Sequence, residues 1–310
     1  GGQGTGAYIS LGYATLNDEN ELYLPKFLDL TDPTNPMPYV YPPVYGNIDG
    51  TDSTYAPIYD TDTASATYGQ IIGSIPFNIP NNLGYSSDIN MAFNLGGALA
   101  DISWLQAGDV PMVSFHCEKD PYAPIDTGDV IVPTTGDFVV EVMGSRTVQH
   151  YSNLYGNNDV FVNAGFSDVF TNTANLNNSG YEGLNVFLTP PPSSTPNAFG
   201  EMEEEQSSPW DWWDNNMYDI MFQAVNGAPA GYGAANSILG NPDMSASKGR
   251  SYIDTIQGYL NPRIYVALDL VNQVSLHDVI ESSTEIYPNP ATDRVSIVSY
   301  AVNINKVNLY

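Results

Sequence analysis

Apolar residues in this chain fall into short runs closed by glycine or proline, the punctuation of a mixed α/β protein. Residues 89–95 (INMAFNL) form one run, stopped by Gly96 and Gly97. Residues 110–116 (VPMVSFH), 138–143 (FVVEVM) and 184–188 (LNVFL) form three more, the last halted by Pro190, Pro191 and Pro192. Nearly unbroken apolar stretches of this length are what parallel strands covered on both faces require. The runs at 89–95, 110–116 and 184–188 are therefore expected to be neighbouring parallel strands flanked by helices.

Helical periodicity appears elsewhere. Residues 5–16 (TGAYISLGYATL) read as a helix entered from a glycine turn, with Tyr8, Leu11 and Thr15 on one face and Gly12 marking close packing. Residues 209–225 read as a helix with Pro209 in its first turn, Ser207 or Ser208 as cap, Asp211 near its start and Gly227 as terminator. A second helix is expected over 243–260, capped by Asp243 or Ser245 and broken or kinked at Pro262. Between these elements, residues 17–87 are rich in Pro, Asp, Tyr, Thr and Gly, which predicts an excursion of loops and short elements. From 286 onward the sequence alternates like paired strands. The fold class expected is α/β: a helix-flanked parallel sheet over 1–275, a linker at 276–285, and part of a small β-sandwich over 286–310.

Composition narrows the function classes. The chain has 310 residues with a formal net charge of −27, from 35 acidic and 8 basic side chains. Such a surface repels nucleic-acid phosphates and anionic membranes. The longest apolar runs fall well short of a membrane span. With Cys117 as the single cysteine, no disulfide within the chain is possible, and this thiol reads as a small buried hydrophobe. The carboxylates suit a solvated surface; the alternative is a Ca²⁺ site, for which Asp49, Asp52, Asp60 and Asp62 are the candidates although they lack EF-hand order. No other cofactor is implied.

Two motifs carry family resemblances. Ile286-Tyr287-Pro288-Asn289-Pro290-Ala291-Thr292-Asp293 places two prolines around an asparagine ahead of a strand at 294–298, a turned, extended entry. This resembles the opening of the type A sorting domain of type IX secretion substrates, with Tyr287, Pro288, Asn289 and Pro290 as its motif. The resemblance implies export by the type IX machinery and a secreted or outer-cell-surface location. Both ends of the sequence fall inside elements, so it is expected to be a piece of a longer chain.

Gly2-Gln3-Gly4-Thr5-Gly6 has the spacing of a G-x-S-x-G nucleophile elbow, and Val113-Ser114-Phe115-His116-Cys117-Glu118-Lys119-Asp120 resembles a strand followed by a triad acid. Together these resemble α/β-hydrolases of the extracellular esterase and polyester-depolymerase branch. The resemblance implies a turn at Gly4 on top of the sheet, Asp120 on a nearby loop, and sheet strands preceding Gly1. This chain departs from the pattern at two of three triad positions. Gly4 has no hydroxyl, and none of His116, His150 and His277 falls after the strand at 184–188, where residues 189–196 would supply the base.

Trp210, Trp212 and Trp213 beside Tyr218 read first as core and second as a surface for sugars or hydrophobic polymers. The acidic run at 201–205 reads as a solvated loop. The leading expectation is a secreted, non-catalytic α/β-hydrolase-like protein with a structural, adhesive or filament-forming role, partnered by itself or by surface polysaccharide. The alternative is a secreted ester hydrolase or depolymerase with an atypical site.

Overall fold

A computed structural model describes residues 1–132, 135–188, 205–238, 240–241 and 243–270, together with the backbone of two strands, Thr284–Tyr287 and Ser296–Ser299. Its centre is a four-stranded sheet in the order Gly2–Gln3, Ala92–Leu95, Met112–Cys117, Leu184–Phe187. Every neighbouring pair in it is parallel, with Gly2 opposite Asn94, Asn94 opposite Ser114, and Ser114 opposite Leu184. The three apolar runs expected to be adjacent parallel strands are so.

The two faces of the central strand are built differently, because successive side chains point to opposite sides. Val113, Phe115 and Cys117 face a cluster with Phe161, Phe187, Trp210, Ile256, Tyr259 and Leu260. Phe115 stacks on Phe187 at 6.2 Å and meets the edge of Tyr259 at 5.7 Å. Met112, Ser114 and His116 take the other face. There Met112 packs with Leu11, Ala14, Leu99, Trp104 and Val148 beneath the helices Thr5–Thr15 and Ser145–Leu154.

The fourth apolar run corrects its expected place. Phe138–Gly144 joins an antiparallel sheet with Thr127–Ile131 and Ala98–Leu99. Phe138 and Val139 are exposed, and of this strand only Val142 and Gly144 are buried. A hairpin partner immediately upstream satisfies its ladder locally, so it has no need of the central sheet.

Residues 17–87 are, as expected, an excursion of short elements. They include a small pair, Leu28–Asp29 with Met37–Pro38, and a longer hairpin, Thr54–Tyr59 with Ile71–Asn78. The helix expected from Pro209 starts later, at Asn215, and runs to Asn226. Asp214 caps it by accepting from the N–H of Asn216 and Met217, both at 2.9 Å, and Gly227 ends it at φ 65°. The preceding turn is held instead by Asn241, whose amide donates to the carbonyls of Ser208 and Asp211.

Ser245 caps the long helix Ala246–Ala267, but Pro262 does not end it. Arg263, wholly buried, anchors the turn beyond the proline. Its Nε donates to Glu182 at 2.8 Å, Nη2 pairs with the same carboxylate, Nη1 donates to the Tyr259 carbonyl at 2.7 Å, and the guanidinium lies 3.4 Å from the Tyr259 ring centroid. The pairing with Glu182 ties the turn beyond the proline to another part of the fold, acting against the roughly 3 kcal/mol that an interior proline costs.

Thr284–Tyr287 pairs antiparallel with Ser296–Ser299, Ile286 opposite Ile297. Paired strands were expected in this region. Pro288, Asn289 and Pro290 lie outside the described residues, as do 189–204 and His277.

Candidate functional site

The site is the end of the sheet where Gly2–Gln3 turns into the first helix. Gly4 stands in that turn at φ 52°, ψ −120°, outside the regions open to residues with a Cβ. Its N–H donates to the Leu95 carbonyl at 3.0 Å, and its own carbonyl accepts from Ala7 and Tyr8, opening the helix. A Cβ on Gly4 would meet nothing within 4 Å, so the turn faces open space. The approach of helix to strand depends on small residues: a Cβ on Gly2 would lie 2.3 Å from Gly6 backbone, and one on Gly97 would lie 2.4 Å from Ala7 Cβ.

Asp120 sits over the end of the neighbouring strand, where a Cβ on Gly96 would come within 3.3 Å of its Oδ2. Its Oδ1 accepts from the N–H of Tyr122 at 2.8 Å and Ala123 at 3.1 Å. Burial pushes its carboxyl up to about 6, against the pull of those two N–H groups and with help from the charge of Glu205. Tyr8, one turn into the helix, has its hydroxyl enclosed without a hydrogen-bond partner. Burial first and the Asp120 charge second raise it to about 12. Gln3 reaches outward instead, donating to Asp211 at 2.6 Å.

His116 points to the same end of the sheet but is wholly enclosed. Its Nδ1 lies 2.8 Å from Ser145 Oγ, its Nε2 lies 3.0 Å from the Ala123 carbonyl, and Asp120 Oδ2 is 3.8 Å from Nε2. The Ala123 carbonyl accepts from Nε2–H, so Nδ1 accepts from the serine hydroxyl and the imidazole is neutral. Burial drives its pKa down to about 4.

Ser145 thus stands beside a histidine and an acid, yet Ser145, His116 and their neighbours are all shut away from solvent. The serine oxygen lies 3.1 Å from Asn94 Oδ1, which accepts from the Gly97 N–H at 3.2 Å, and Asn94 donates to Ser114 at 2.6 Å. Gln149 donates to Ser114 at 2.9 Å, and Asn158 donates to Gln149 at 2.8 Å. The result is a buried polar row running along one face of the sheet, each member satisfied by the next.

Gly4 and Asp120 are therefore brought to the same end of the sheet, through Leu95 and Gly96. His150 is elsewhere, 3.1 Å from the Tyr181 hydroxyl. The tryptophans divide: Trp210 is core, while Trp212 and Trp213 are partly exposed. Trp212 rests on Gly249 and near Arg250, and Trp213 begins an aromatic series through Tyr218, Phe222 and Tyr232 with centroids about 6 Å apart.

The four aspartates suggested for Ca²⁺ do not form one cluster. Asp60 and Asp62 lie in the hairpin connection, accepting from the N–H of Asp62 and Ala64, while Asp49 lines a groove of about 960 Å³ with Tyr13, Tyr85 and Asp109. Among the described residues no group of three or more His, Cys, Asp or Glu side chains is placed to hold a metal. Cys117 is buried and its thiol is pushed well up by burial, as a structural residue should be. No described helix is long and apolar enough to cross a membrane.

The fold is that of an α/β protein with a helix-flanked parallel sheet and a glycine turn at one end of it. Neither family models, nor curated proteins, nor solved structures gave a match to this chain.

Proposed function

We propose that this chain is a secreted or cell-surface α/β-hydrolase-like protein that keeps the scaffold without the ester-cleaving chemistry, and serves a structural or adhesive role. The observation that carries this reading is Gly4. It stands in an open, sharp strand-to-helix turn, the kind of turn on which such hydrolases carry a nucleophile, and it has no side chain, which supports a scaffold without that chemistry. The nearby histidine is neutral and enclosed, which accords with a structural duty. The Tyr287-Pro288-Asn289-Pro290 motif supports export through the type IX machinery. The purified chain should turn over short p-nitrophenyl esters no faster than a heat-denatured control.

A second reading rests on the Ser145–His116 pair, 2.8 Å apart beside Asp120. It makes this protein an esterase with an atypical site that opens on substrate binding. Turnover titrated by a serine-directed phosphonate and abolished by Ser145→Ala would establish it and remove the first reading.

A further inference from the structure

Three adjoining hollows meet at Asp49, which lines all of them. The central one, of about 960 Å³, runs between the helix Thr5–Thr15 and the loop 85–89. Hollows of about 630 Å³ and about 410 Å³ extend it along the turn Glu19–Tyr23 and the loop 81–87. They share walls, through Asn17 and Ile48 in one case and Gly50 and Tyr85 in the other, and so make one extended, open cleft.

Three separate elements each bring a tyrosine to it. Tyr13, Tyr23 and Tyr85 are 57%, 44% and 82% exposed. Tyr13 is tethered: its hydroxyl donates to the Ser87 carbonyl at 2.5 Å, which holds the ring and ties the first helix to the loop. Tyr85 follows a tight turn, with Asn82 at φ 53°, Gly84 at φ 91° and the Tyr85 N–H donating to the Asn82 carbonyl at 3.2 Å. The polar groups of the cleft are amides and carboxylates. Asn81 and Asn82 each offer a donor and an acceptor. Asp109 is already engaged, accepting from Asn17 at 3.0 Å and from the Gln106 N–H at 2.7 Å. Asp49, where the hollows meet, makes no hydrogen bond through its carboxylate among the described residues.

We propose that this cleft binds a neutral oligosaccharide, with sugar rings laid on the tyrosines and hydroxyls bonded to Asp49 and the asparagines. Other ligand classes each fail on a particular point. An anion needs a cation to receive it, and among the described residues no Lys, Arg or His lines any of the three hollows. A divalent cation needs converging oxygens, and among the described residues no group of three or more His, Cys, Asp or Glu side chains is placed to hold one. A basic peptide would meet the carboxylates, but ammonium and guanidinium groups only donate, so the amide N–H groups would go unused. Sugar hydroxyls both donate and accept, and the C–H faces of a pyranose are apolar. A sugar chain therefore uses the rings, the amides and the carboxylate together.

The inference gives the adhesive role proposed above a ligand, on a surface that contains no residue of the Gly4 turn. An ester assay judges the first and sugar binding judges the second, so the two fail separately.

The test is isothermal titration calorimetry on the full chain in buffer containing EDTA. The neutral probes are cellohexaose, laminarihexaose, maltohexaose and chitohexaose; hexagalacturonate is the anionic probe and pentalysine the basic one. At least one neutral probe should bind with a dissociation constant between about 10 µM and about 1 mM. Raising NaCl to about 0.5 M should change it less than ~2-fold, because no charges are paired. Tyr85→Ala should weaken binding at least ~5-fold through lost stacking, and Tyr85→Phe less than ~2-fold. Asp49→Ala should weaken it at least ~3-fold. Tyr68→Ala removes an exposed ring that lines none of the hollows and should leave binding unchanged. These side chains are all exposed, so each variant should keep the wild-type circular dichroism spectrum. No binding of any neutral probe overturns the proposal. So does a sugar that binds Tyr85→Ala and Asp49→Ala as tightly as wild type, because it sits elsewhere. Hexagalacturonate bound as tightly as the neutral probes overturns it as well. Pentalysine bound in their place, and released by salt, assigns the cleft to a basic peptide instead.

Discussion

His116 and Asp120 give the sharpest prediction, because burial moves their pKa values in opposite directions in stability terms. Asp120 has its pKa raised from 3.8 to about 6. The folded protein therefore holds that proton where the unfolded chain releases it. Its stabilisation is complete below pH 3.8 and is lost as pH rises through 6. His116 has its pKa lowered from 6.5 to about 4. The unfolded chain takes up a proton that the folded protein refuses, so stability is lost as pH falls from 6.5 toward 4.

Between pH 4.5 and 7 each group changes folding free energy by about 2 kcal/mol, at 1.36 kcal/mol per unit. The signs are opposite, so the pair nearly cancels in wild type. Asp120→Asn keeps an oxygen for the N–H groups of Tyr122 and Ala123 and removes the acid. Relative to wild type, it should gain about 2 kcal/mol in going from pH 4.5 to pH 7. His116→Gln should lose about 2 kcal/mol over the same interval, on top of a constant cost for the broken row. Urea unfolding of the three proteins at several pH values, read as variant minus wild type, cancels the common acidic background. Flat difference curves, or slopes of the same sign, would refute the reasoning from burial.

Gly4→Ser should cost about 1–3 kcal/mol for a Cβ at that φ and ψ, and it should create no esterase, since the neutral His116 is enclosed; phosphonate labelling of the new serine would show otherwise. Arg263→Met should destabilise by about 3 kcal/mol because it strands the Glu182 carboxylate, and adding Glu182→Gln should restore part of the loss in urea titrations. Gly97→Ala should cost at least ~3 kcal/mol, since its Cβ would meet Ala7 at 2.4 Å with backbone on both sides; a thermal midpoint within a degree or two of wild type would show that the first helix can retreat.

What was legible in the sequence follows the range of the interactions involved. Runs such as MVSFHC announce strands buried on both faces, and Gly227 and Ser245 mark helix ends through local backbone chemistry, so these could be read directly. The turn at Gly4 was legible for the same reason, as glycine spacing at a strand-to-helix junction. Phe138–Gly144 was misplaced because an apolar run does not declare its partner, and the partner is a hairpin strand of modest hydrophobicity. The helix after Pro209 starts late because Asn241, some 30 residues on, claims the carbonyls of Ser208 and Asp211. Pro262 was read as a breaker because the anchor of the turn beyond it, Arg263 on Glu182, joins residues some 80 apart. The Ser114 and His116 row left one signal: polar residues two apart within a buried strand must find partners. Which partners they find depends on the helix Ser145–Leu154 and could not be read from the strand.

That row bears on how the sheet finds its alignment. Strands as short as Ala92–Leu95 and Leu184–Phe187 can slide by two residues against Met112–Cys117 and still send every apolar side chain to its proper side. Hydrophobic burial is nearly blind to such an error. Directional bonds are not: a two-residue slip would separate Asn94 from Ser114, and it would leave their amide and hydroxyl groups dry and unmatched beneath the covering helices. The row thus adds an energetic penalty to misaligned sheets that the greasy side chains alone would accept.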